Sequence, residues 1–441
     1  MKPINVGLAG IGTVGSGTWE VLSRNQDEIR RRAGRGIEIT TVADLDTARA
    51  RGLVGDRAKV VASAFELLAD PSIDVVVELI GGYGVAKDLV LEAIAAGKHV
   101  VTANKALLAV HGSEIFAAAQ KRGVIIAFEA AVAGGIPIIK AMREGLTANR
   151  VEWIAGIING TTNFILSEMR DKGLPFEQVL AEAQRLGYAE ADPTFDIEGI
   201  DAAHKATLLA SIAFGIPVQF DKAYVEGITR LQSEDIRYAE KLGYRIKLLG
   251  ITRRRQDGDR TLGIELRVHP TLIPASRLIA NVEGAMNAVW VKGDAVGHTM
   301  YYGKGAGSEP TASAVIADLV DVARAVTVDP DHRVPYLAFQ SDALADVPVL
   351  PIDEVETAYY LRVRVADEPG VLADITRLLA DARISIDAVL QREPVEGENA
   401  TDLILLTHRS IEGRVKSAIT RIEALPTVLS SVHLIRLEDL N

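Results

Sequence analysis

The fold is decided by residues 4–15, which read INVGLAGIGTVG. The first half is an apolar run typical of a buried strand, and the second half is a glycine-rich turn that opens a helical pattern. The first glycine of such a turn permits a tight bend, the second lets the backbone approach a pyrophosphate, and the third lets the helix pack on the strand. The helix N-terminus offers unpaired N–H groups to the phosphates. We predict a dinucleotide site here, with a structural glycine turn as the alternative. Its contacts are Gly10, Gly12, Thr13, Val14 and Gly15.

Outward from this turn, short apolar runs alternate with helical segments up to about residue 135. The clearest apolar runs are 37–43, 75–80 and 99–101. Strands that alternate with helices predict a parallel sheet covered on both faces. We therefore expect residues 1–135 to form a Rossmann-type α/β domain, completed by residues 305–340 from further along the chain.

The residue that binds the cofactor ribose in such domains ends the second strand, where Asp44 stands. Its carboxylate could accept a hydrogen bond from a ribose 2′-hydroxyl, which favours NAD. Arg49 and Arg51 are near enough in sequence to accommodate a 2′-phosphate. A turn residue at the strand end is the alternative for Asp44, so the sequence leaves both NAD and NADP open.

The remaining chain divides into two further regions. Residues 136–304 show helical patterns followed by strand patterns, which predicts an α+β domain. A proline-marked connector, 347–351, leads into residues 355–441. This last region shows the order β-α-β-β-α-β, which is the ferredoxin-like unit.

Composition excludes several classes of protein. The 441 residues include no cysteine, which removes disulfides, thiolate metal sites and thiol nucleophiles, thioester chemistry included. The net charge of -11 makes nucleic acid an unexpected partner. No apolar stretch approaches the roughly 20 residues of a membrane helix, and the N-terminus lacks a signal-peptide pattern. We expect no membrane partner and a cytoplasmic location. The basic run 253–255 precedes acidic residues and is interpreted as a solvated turn.

Two lysines and a carboxylate are the candidate catalytic residues. Asp201 and Lys205 are four residues apart on a predicted helix and so share a face. A lysine beside a carboxylate can transfer a proton to or from a substrate oxygen. An exposed helical ion pair is the alternative. Lys105 follows an apolar strand, at the carboxyl edge of the predicted sheet where ligands bind in such folds; its alternative is a solvent-facing lysine at a helix start.

A second glycine-rich loop, 303–307, reads GKGAG and precedes a helical pattern. It could approach a cofactor closely through Gly303 and Gly307, or it could be a simple turn.

Four blocks of this sequence resemble the homoserine dehydrogenase family, in family order. The stretch 181–205, AEAQRLGYAEADPTFDIEGIDAAHK, is similar to the family signature nearly position for position. The stretches 103–109, 156–163 and 303–311 are similar to three other family blocks. The resemblance implies reversible, NAD(P)H-dependent reduction of L-aspartate 4-semialdehyde to L-homoserine, in threonine, methionine and isoleucine biosynthesis. It also makes the second region the catalytic and dimerisation domain.

The resemblance implies a role for each site residue. Lys205 would be the general acid that protonates the aldehyde oxygen. Lys105 would lie between the nicotinamide and the substrate and help to polarise the same carbonyl, and Asp201 would orient the site and support the charge of Lys205. Glu190 would bind the substrate's amino group, as a carboxylate suits an ammonium. The implied substrate-binding residues are Gly187, Glu190 and Asp196.

Family members also bind a monovalent cation, Na⁺ or K⁺, near the hinge. The matching positions, mostly through backbone oxygens that suit such an ion, are Glu129, Val132, Gly134 and Ile136. This chain departs from the family pattern in two places. Many relatives carry Arg where Ala43 stands, and most carry Pro after the double glycine Gly81-Gly82, a loop expected to approach the cofactor.

Residues 367–375, DEPGVLADI, resemble the first loop and helix of ACT domains, and Gln391 fits the strand that follows. ACT domains commonly pair across subunits and bind an amino acid near that loop. The resemblance therefore implies a homodimer or homotetramer, with threonine, the pathway end product, as the candidate effector. A purely structural dimerisation domain is the alternative.

Two rival functions are retained. One is another ACT-containing Rossmann dehydrogenase, such as a 2-hydroxyacid enzyme, which uses an arginine, an acid and a histidine. His204 is the only histidine in the lysine–carboxylate stretch. The other rival is a catalytically silent sensor of dinucleotide and amino acid, against which the two retained lysines argue.

Overall fold

A computed structural model describes residues 2–258, 260–391 and 399–441. The strands are β1 (Ile4–Ala9), β2 (Ile37–Ala43), β3 (Lys59–Val61), β4 (Val75–Glu78), β5 (His99–Thr102), β6 (Ile126–Ala127), β7 (Val151–Ile157), β8 (Tyr224–Val225), β9 (Tyr244–Asp257), β10 (Arg260–Pro274), β11 (Met286–Gly293), β12 (Gly297–Lys304), β13 (Glu356–Ala366), β14 (Ile386–Gln391), β15 (Ala400–Thr407), β16 (Ser410–Ile411) and β17 (His433–Leu437).

The helices are α1 (Thr13–Arg24), α2 (Gln26–Ala33), α3 (Thr47–Val54), α4 (Glu66–Ala69), α5 (Gly84–Ala95), α6 (Lys105–Arg122), α7 (Ile138–Lys140), α8 (Gly160–Lys172), α9 (Phe176–Arg185), α10 (Thr194–Ile197), α11 (Ile200–Phe214), α12 (Ser233–Lys241), α13 (Ser308–Ala325), α14 (Val371–Asp381) and α15 (Glu412–Glu423). Among the described residues, none of these helices combines the length and apolar character needed to cross a membrane.

Contacts divide the described chain into two compact units. Unit 1 comprises the chain up to Gly160 together with Asp201–Asp221 and Ala285–Val347. Unit 2 comprises Thr161–Ile200, Lys222–Gly284 and Pro348–Asn441. The three domain boundaries given above from the sequence stay a prediction.

Unit 1 is built on a 6-stranded parallel sheet in the order β3-β2-β1-β4-β5-β6. The central strands are buried on both faces, as their unbroken apolar runs require. Helix α13 packs beside α1, where the Ser308 hydroxyl donates to the carbonyl of Thr13 at 2.8 Å. This is the predicted Rossmann-type sheet. Unit 1 also contains β11, which pairs antiparallel with β7 and β12.

In unit 2, β10 pairs antiparallel with β9 and parallel with β17. Strands β13, β14, β15 and β17 form an antiparallel sheet, and helices α14 and α15 pack on its apolar residues. Their order along the chain confirms the predicted ferredoxin-like domain, with the short β16 added between β15 and α15. The α+β prediction for the middle of the chain is confirmed as well.

The solvated turn predicted at 253–255 is wrong, because these arginines lie within β9. Arg253 forms an ion pair with Glu438 at 2.8 Å, and Arg255 forms one with Glu265 at 3.4 Å. Both glutamates are buried. Arg253 and Arg255 therefore neutralise carboxylates from other parts of the chain, which the local sequence does not reveal.

Candidate active site

Asp201, in the first turn of α11, is the centre of the candidate active site. Its Oδ2 accepts a hydrogen bond from Lys205 Nζ at 2.6 Å, one helical turn further along. Its Oδ1 lies 3.2 Å from Lys105 Nζ. Lys105 is the first residue of α6, just beyond the carboxyl end of β5. One carboxylate therefore joins two lysines from distant parts of the sequence.

The segment between β7 and α8 closes this cluster. Lys205 Nζ also donates to the backbone carbonyl of Ile158 at 2.7 Å, and Asn159 Nδ2 donates to Asp201 Oδ2 at 2.9 Å. Asp201 is 4% exposed and Lys205 is 8% exposed. An exposed helical ion pair is therefore the wrong description of this pair. The Lys105 side chain remains 35% exposed, so the cluster has one buried and one accessible ammonium group.

Burial and charge act in opposite directions on the pKa values here. Burial alone would raise the pKa of Asp201, but the ammonium groups of Lys205 and Lys105 outweigh it and hold that pKa well below its usual range. Burial lowers the pKa of His204 to about 4, and both lysines add to the effect. At neutral pH the carboxylate is therefore charged and the imidazole is neutral.

The predicted dinucleotide turn contains glycines of two kinds. A Cβ on Gly10 would lie 2.7 Å from the carbonyl oxygen of Leu79, and one on Gly15 would lie 2.0 Å from that of Gly10. These two glycines allow close packing of backbone on backbone. Gly12, the N-cap of α1, has no atom within 4 Å of the Cβ position, so the backbone there is open to a ligand. Thr13 and Val14 follow as the first residues of α1. The turn therefore fits a pyrophosphate at the helix N-terminus.

Two further glycine segments belong to unit 1. Gly81 and Gly82 both have positive φ values and open space around their Cβ positions. Gly303 lies at the end of β12, and Gly307 is the N-cap of α13 with φ +128°. A surface cleft of about 590 Å³ opens beside Gly307, lined by residues 304 and 306–310. This second loop reaches the dinucleotide turn through the hydrogen bond from Ser308 to Thr13.

Asp44 follows β2 and is tied to two loops. Its Oδ2 accepts from the backbone N–H of Ile11 at 2.7 Å, and its Oδ1 accepts from that of Asp46 at 2.8 Å. The carboxylate thus joins the dinucleotide turn to the loop that follows β2. Each carboxylate oxygen retains a further lone pair for a ribose hydroxyl.

The predicted substrate-binding residues lie in unit 2. Gly187, with φ +78°, ends the turn after α9, and Glu190 is exposed in the loop that follows. The side chain of Gln184 holds this loop by donating to the carbonyls of Glu190 and Ala191. Asp196 lies in α10 and is partly buried.

One of the predicted cation residues, Glu129, has a buried carboxylate. Glu129 is 1% exposed, and its two oxygens accept from the backbone N–H groups of Ile139 and Lys140 at 2.9 and 2.7 Å. Burial raises the pKa of Glu129 to about 7. Among the described residues, no group of three or more His, Cys, Asp or Glu side chains suits a metal ion. A cation here would depend on backbone oxygens of Val132, Gly134 and Ile136.

A Rossmann-type sheet, an open glycine turn and lysines beside a buried carboxylate define an NAD(P)-dependent oxidoreductase. Residues 10–129 match the family model described as homoserine dehydrogenase, NAD binding domain; residues 137–320 match homoserine dehydrogenase and 359–427 the ACT domain. The chain belongs to the homoserine dehydrogenase family. It therefore does not belong to the rival class of 2-hydroxyacid dehydrogenases.

The similarity to individual relatives covers the whole chain. Homoserine dehydrogenase from Pseudomonas aeruginosa is 62% identical, and that from Neisseria gonorrhoeae 57%, over 100% of both chains in each case. The crystal structure of a homoserine dehydrogenase from Thiobacillus denitrificans superposes with a TM-score of 0.95 at 66% identity, covering 100% of this chain and 99% of that one.

The sequence pattern does not indicate a role for Asn159, although the residue lies in the stretch 156–163 that resembles a family block. Its side-chain bond to Asp201 crosses from one segment to another, and no local spacing signals such a contact. The same holds for Glu78, whose buried carboxylate has several partners at the end of β4. A charged residue that ends an apolar strand run was the available signal.

Proposed function

We propose that this chain reduces L-aspartate 4-semialdehyde to L-homoserine, reversibly, with NADH or NADPH. The observation that carries the proposal is the bridge of Asp201 between Lys105 and Lys205. Two ammonium groups that share one carboxylate leave positive charge uncompensated. That charge suits a carbonyl oxygen that becomes negative as the carbon is reduced.

The chain's own residues act on the oxygen of the aldehyde. Lys205, oriented by Asp201 and by the carbonyl of Ile158, donates a proton to that oxygen. Lys105, the more exposed lysine, polarises the same carbonyl. The nicotinamide, when bound, supplies the hydride to the carbon. Asp201 remains charged throughout, since its pKa lies far below neutrality, and so favours return of a proton to Lys205.

The substrate's amino acid end needs a matching carboxylate. Glu190 is exposed in a loop anchored by Gln184, and we assign it to the substrate's ammonium group, with Gly187 and Asp196 shaping the same loop. Glu190→Gln keeps the size and removes the charge. We expect it to raise the KM for the semialdehyde by about 10-fold, with a smaller effect on kcat.

Substitution of Asp44 tests what determines the preference between NADH and NADPH. Its carboxylate at the end of β2 disfavours the 2′-phosphate of NADPH, whereas Arg49 and Arg51 on α3 favour it. Asp44→Asn keeps the acceptor for the N–H of Ile11 and removes the charge. The ratio of kcat/KM for NADPH to that for NADH should rise in this variant. An unchanged ratio would remove Asp44 from the ribose site.

A monovalent cation is proposed beside Glu129. A carboxylate buried at 1% exposure is destabilised as an anion, and a bound cation would offset that cost. The melting temperature of the chain should rise when Na⁺ or K⁺ replaces a large organic cation at constant ionic strength. Glu129→Gln should abolish that rise; a rise of equal size in both proteins would count against the site.

The ACT domain is proposed to bind an amino acid. A cavity of about 220 Å³ opens beside the loop before α14, with Glu368, Gly370 and Gln391 among its lining residues. Threonine is the first candidate, tested by calorimetry and by its effect on the initial rate.

The ACT domain is also proposed to join subunits into a homodimer or homotetramer, since Val389 on β14 is 45% exposed. Light scattering gives the subunit number.

Oxidation of NADPH by L-aspartate 4-semialdehyde, followed by absorbance with product analysis, is the decisive experiment for the reaction. Turnover to L-homoserine is the expected result. Cofactor binding without turnover in the intact chain would favour the silent sensor instead.

A further inference from the structure

Glu78 is the last residue of β4 and is 0% exposed. Its Oε1 accepts from the backbone N–H groups of Ile80 and Gly81, both at 2.9 Å. Its Oε2 accepts from the hydroxyl of Thr102 at 2.6 Å. Hydrogen bonds to a charged acceptor are about twice as strong as neutral ones, so three of them define the geometry of this strand end closely.

The same bonds continue to the helix that carries Lys105. Thr102 is the partner of Glu78 in the pairing of β4 with β5, and its hydroxyl oxygen accepts from the N–H of Asn104 at 3.0 Å. Asn104 caps α6 by accepting from the N–H of Leu107 at 3.0 Å. Its amide group donates to the carbonyl of Gly82 at 2.7 Å. A closed circuit of hydrogen bonds therefore joins the Gly81-Gly82 turn to the first turn of α6.

The circuit includes the Gly81-Gly82 backbone and Asn104, the residue that precedes Lys105. Gly81 and Gly82 have open space at their Cβ positions, so a ligand can lie against this backbone. Lys105 follows Asn104 directly and reaches Asp201. Among the described residues, Glu78 has no cationic partner within ion-pair distance, so its hydrogen bonds to Ile80, Gly81 and Thr102 satisfy this buried carboxyl group. One carboxylate therefore serves both segments: Oε1 accepts from the backbone of the Gly81-Gly82 turn, and Oε2 accepts from the hydroxyl of Thr102.

We propose that Glu78 and Thr102 are positioning residues for hydride transfer. They hold the Gly81-Gly82 backbone and Lys105 at fixed positions relative to each other. The lysine can then lie beside the substrate carbonyl that is bound next to the nicotinamide. The inference rests on the role proposed above for Lys105. Neither residue touches the reacting atoms.

The test compares Thr102→Val, which removes the hydroxyl at constant shape, with Thr102→Ser, which keeps it. The readout is the single-turnover rate constant of hydride transfer, which does not depend on the fraction of folded enzyme. Small misplacements of reacting groups cost up to about 100-fold in rate. We expect about a 10-fold loss in Thr102→Val and recovery to within about 2-fold of wild type in Thr102→Ser. Glu78→Gln keeps one acceptor oxygen and can donate its amide N–H to the Thr102 hydroxyl oxygen, so its loss should be smaller than that of Thr102→Val.

A double-mutant cycle with Lys105→Ala separates positioning from general damage. If Thr102 acts through Lys105, Thr102→Val should lower the rate by less than about 2-fold in the Lys105→Ala background. Equal losses in both backgrounds, or a lower melting temperature with an unchanged rate constant, would overturn the inference. Absence of turnover in the wild-type chain would instead overturn the proposed function.

Discussion

Two clusters of buried charge in this molecule differ in how their charges balance. In unit 1, Lys105 and Lys205 share the single carboxylate of Asp201. In unit 2, Arg267 is 1% exposed and pairs with Glu265 at 3.0 Å and with Glu438. The other ion pairs of that network are Arg253–Glu438, Arg255–Glu265 and Arg255–Glu356.

The residue types follow the same division. Arginine is charged at every accessible pH and forms planar, two-pronged bonds, which suits a permanent neutral network. Lysine is a point charge that exchanges protons, and the cluster of unit 1 keeps one lysine side chain 35% exposed. The excess positive charge of unit 1 is available to a substrate, whereas the matched charges around the buried Arg267 hold the strands of unit 2 together. Burial alone therefore does not identify a catalytic cluster.

The largest expected effect is on stability and comes from a substitution that disrupts the ion-pair network of unit 2. Arg267→Met leaves Glu265 and Glu438 buried with less positive charge, which should lower the free energy of unfolding by about 3–5 kcal/mol. Urea denaturation followed by circular dichroism measures it. Arg31→Met removes an exposed helical pair with Glu28 and should cost less than about 1 kcal/mol. Equal costs for the two variants would contradict the comparison.

The next effect concerns the cluster of unit 1. Lys205→Ala removes the proton donor and should lower kcat by at least about 100-fold, the low end of general-acid effects. Steady-state oxidation of NADPH measures it. Lys121→Ala, on the exposed end of α6, is the matched control and should leave kcat unchanged. Turnover near the wild-type value in Lys205→Ala would refute the assignment of the general acid.

The smallest expected effect is the contribution of His204 to the pH dependence of the free energy of unfolding. His204 packs on Phe220 at 4.3 Å between ring centroids, and its folded-state pKa of about 4 lies below the value of 6.5 expected when unfolded. Since the unfolded state then binds the proton more tightly, His204 stabilises the fold at neutral pH and that contribution is lost as the pH falls. Between about pH 6.5 and 4.5 the loss should be about 2 kcal/mol.

The measurement is urea denaturation of wild type and His204→Gln across that pH range. The variant should lose about 2 kcal/mol less than wild type. The exposed His408→Gln should follow the wild-type curve. Parallel curves for wild type and His204→Gln would show that burial of this histidine does not affect folding.

Local patterns in the sequence predicted much of this structure. Alternating apolar runs gave the parallel sheet, and spacing placed Asp201 and Lys205 on one helical face. The arginines at 253–255 were misinterpreted because their partners are supplied by other strands, Glu438 by the last residues of the chain. Glu78 and Asn159 received no role for the same reason.

The sequence by itself determined the elements and their chemistry: the glycine turn, the parallel sheet implied by alternation, the lysines and the acids. Only the tertiary structure decided which charges share a partner. Periodicity is set by bonds between near neighbours, so residues a few positions apart reveal it. The bridge from Lys105 through Asp201 to Lys205 forms only when α6 and α11 come together, and its excess charge is a property of that packing.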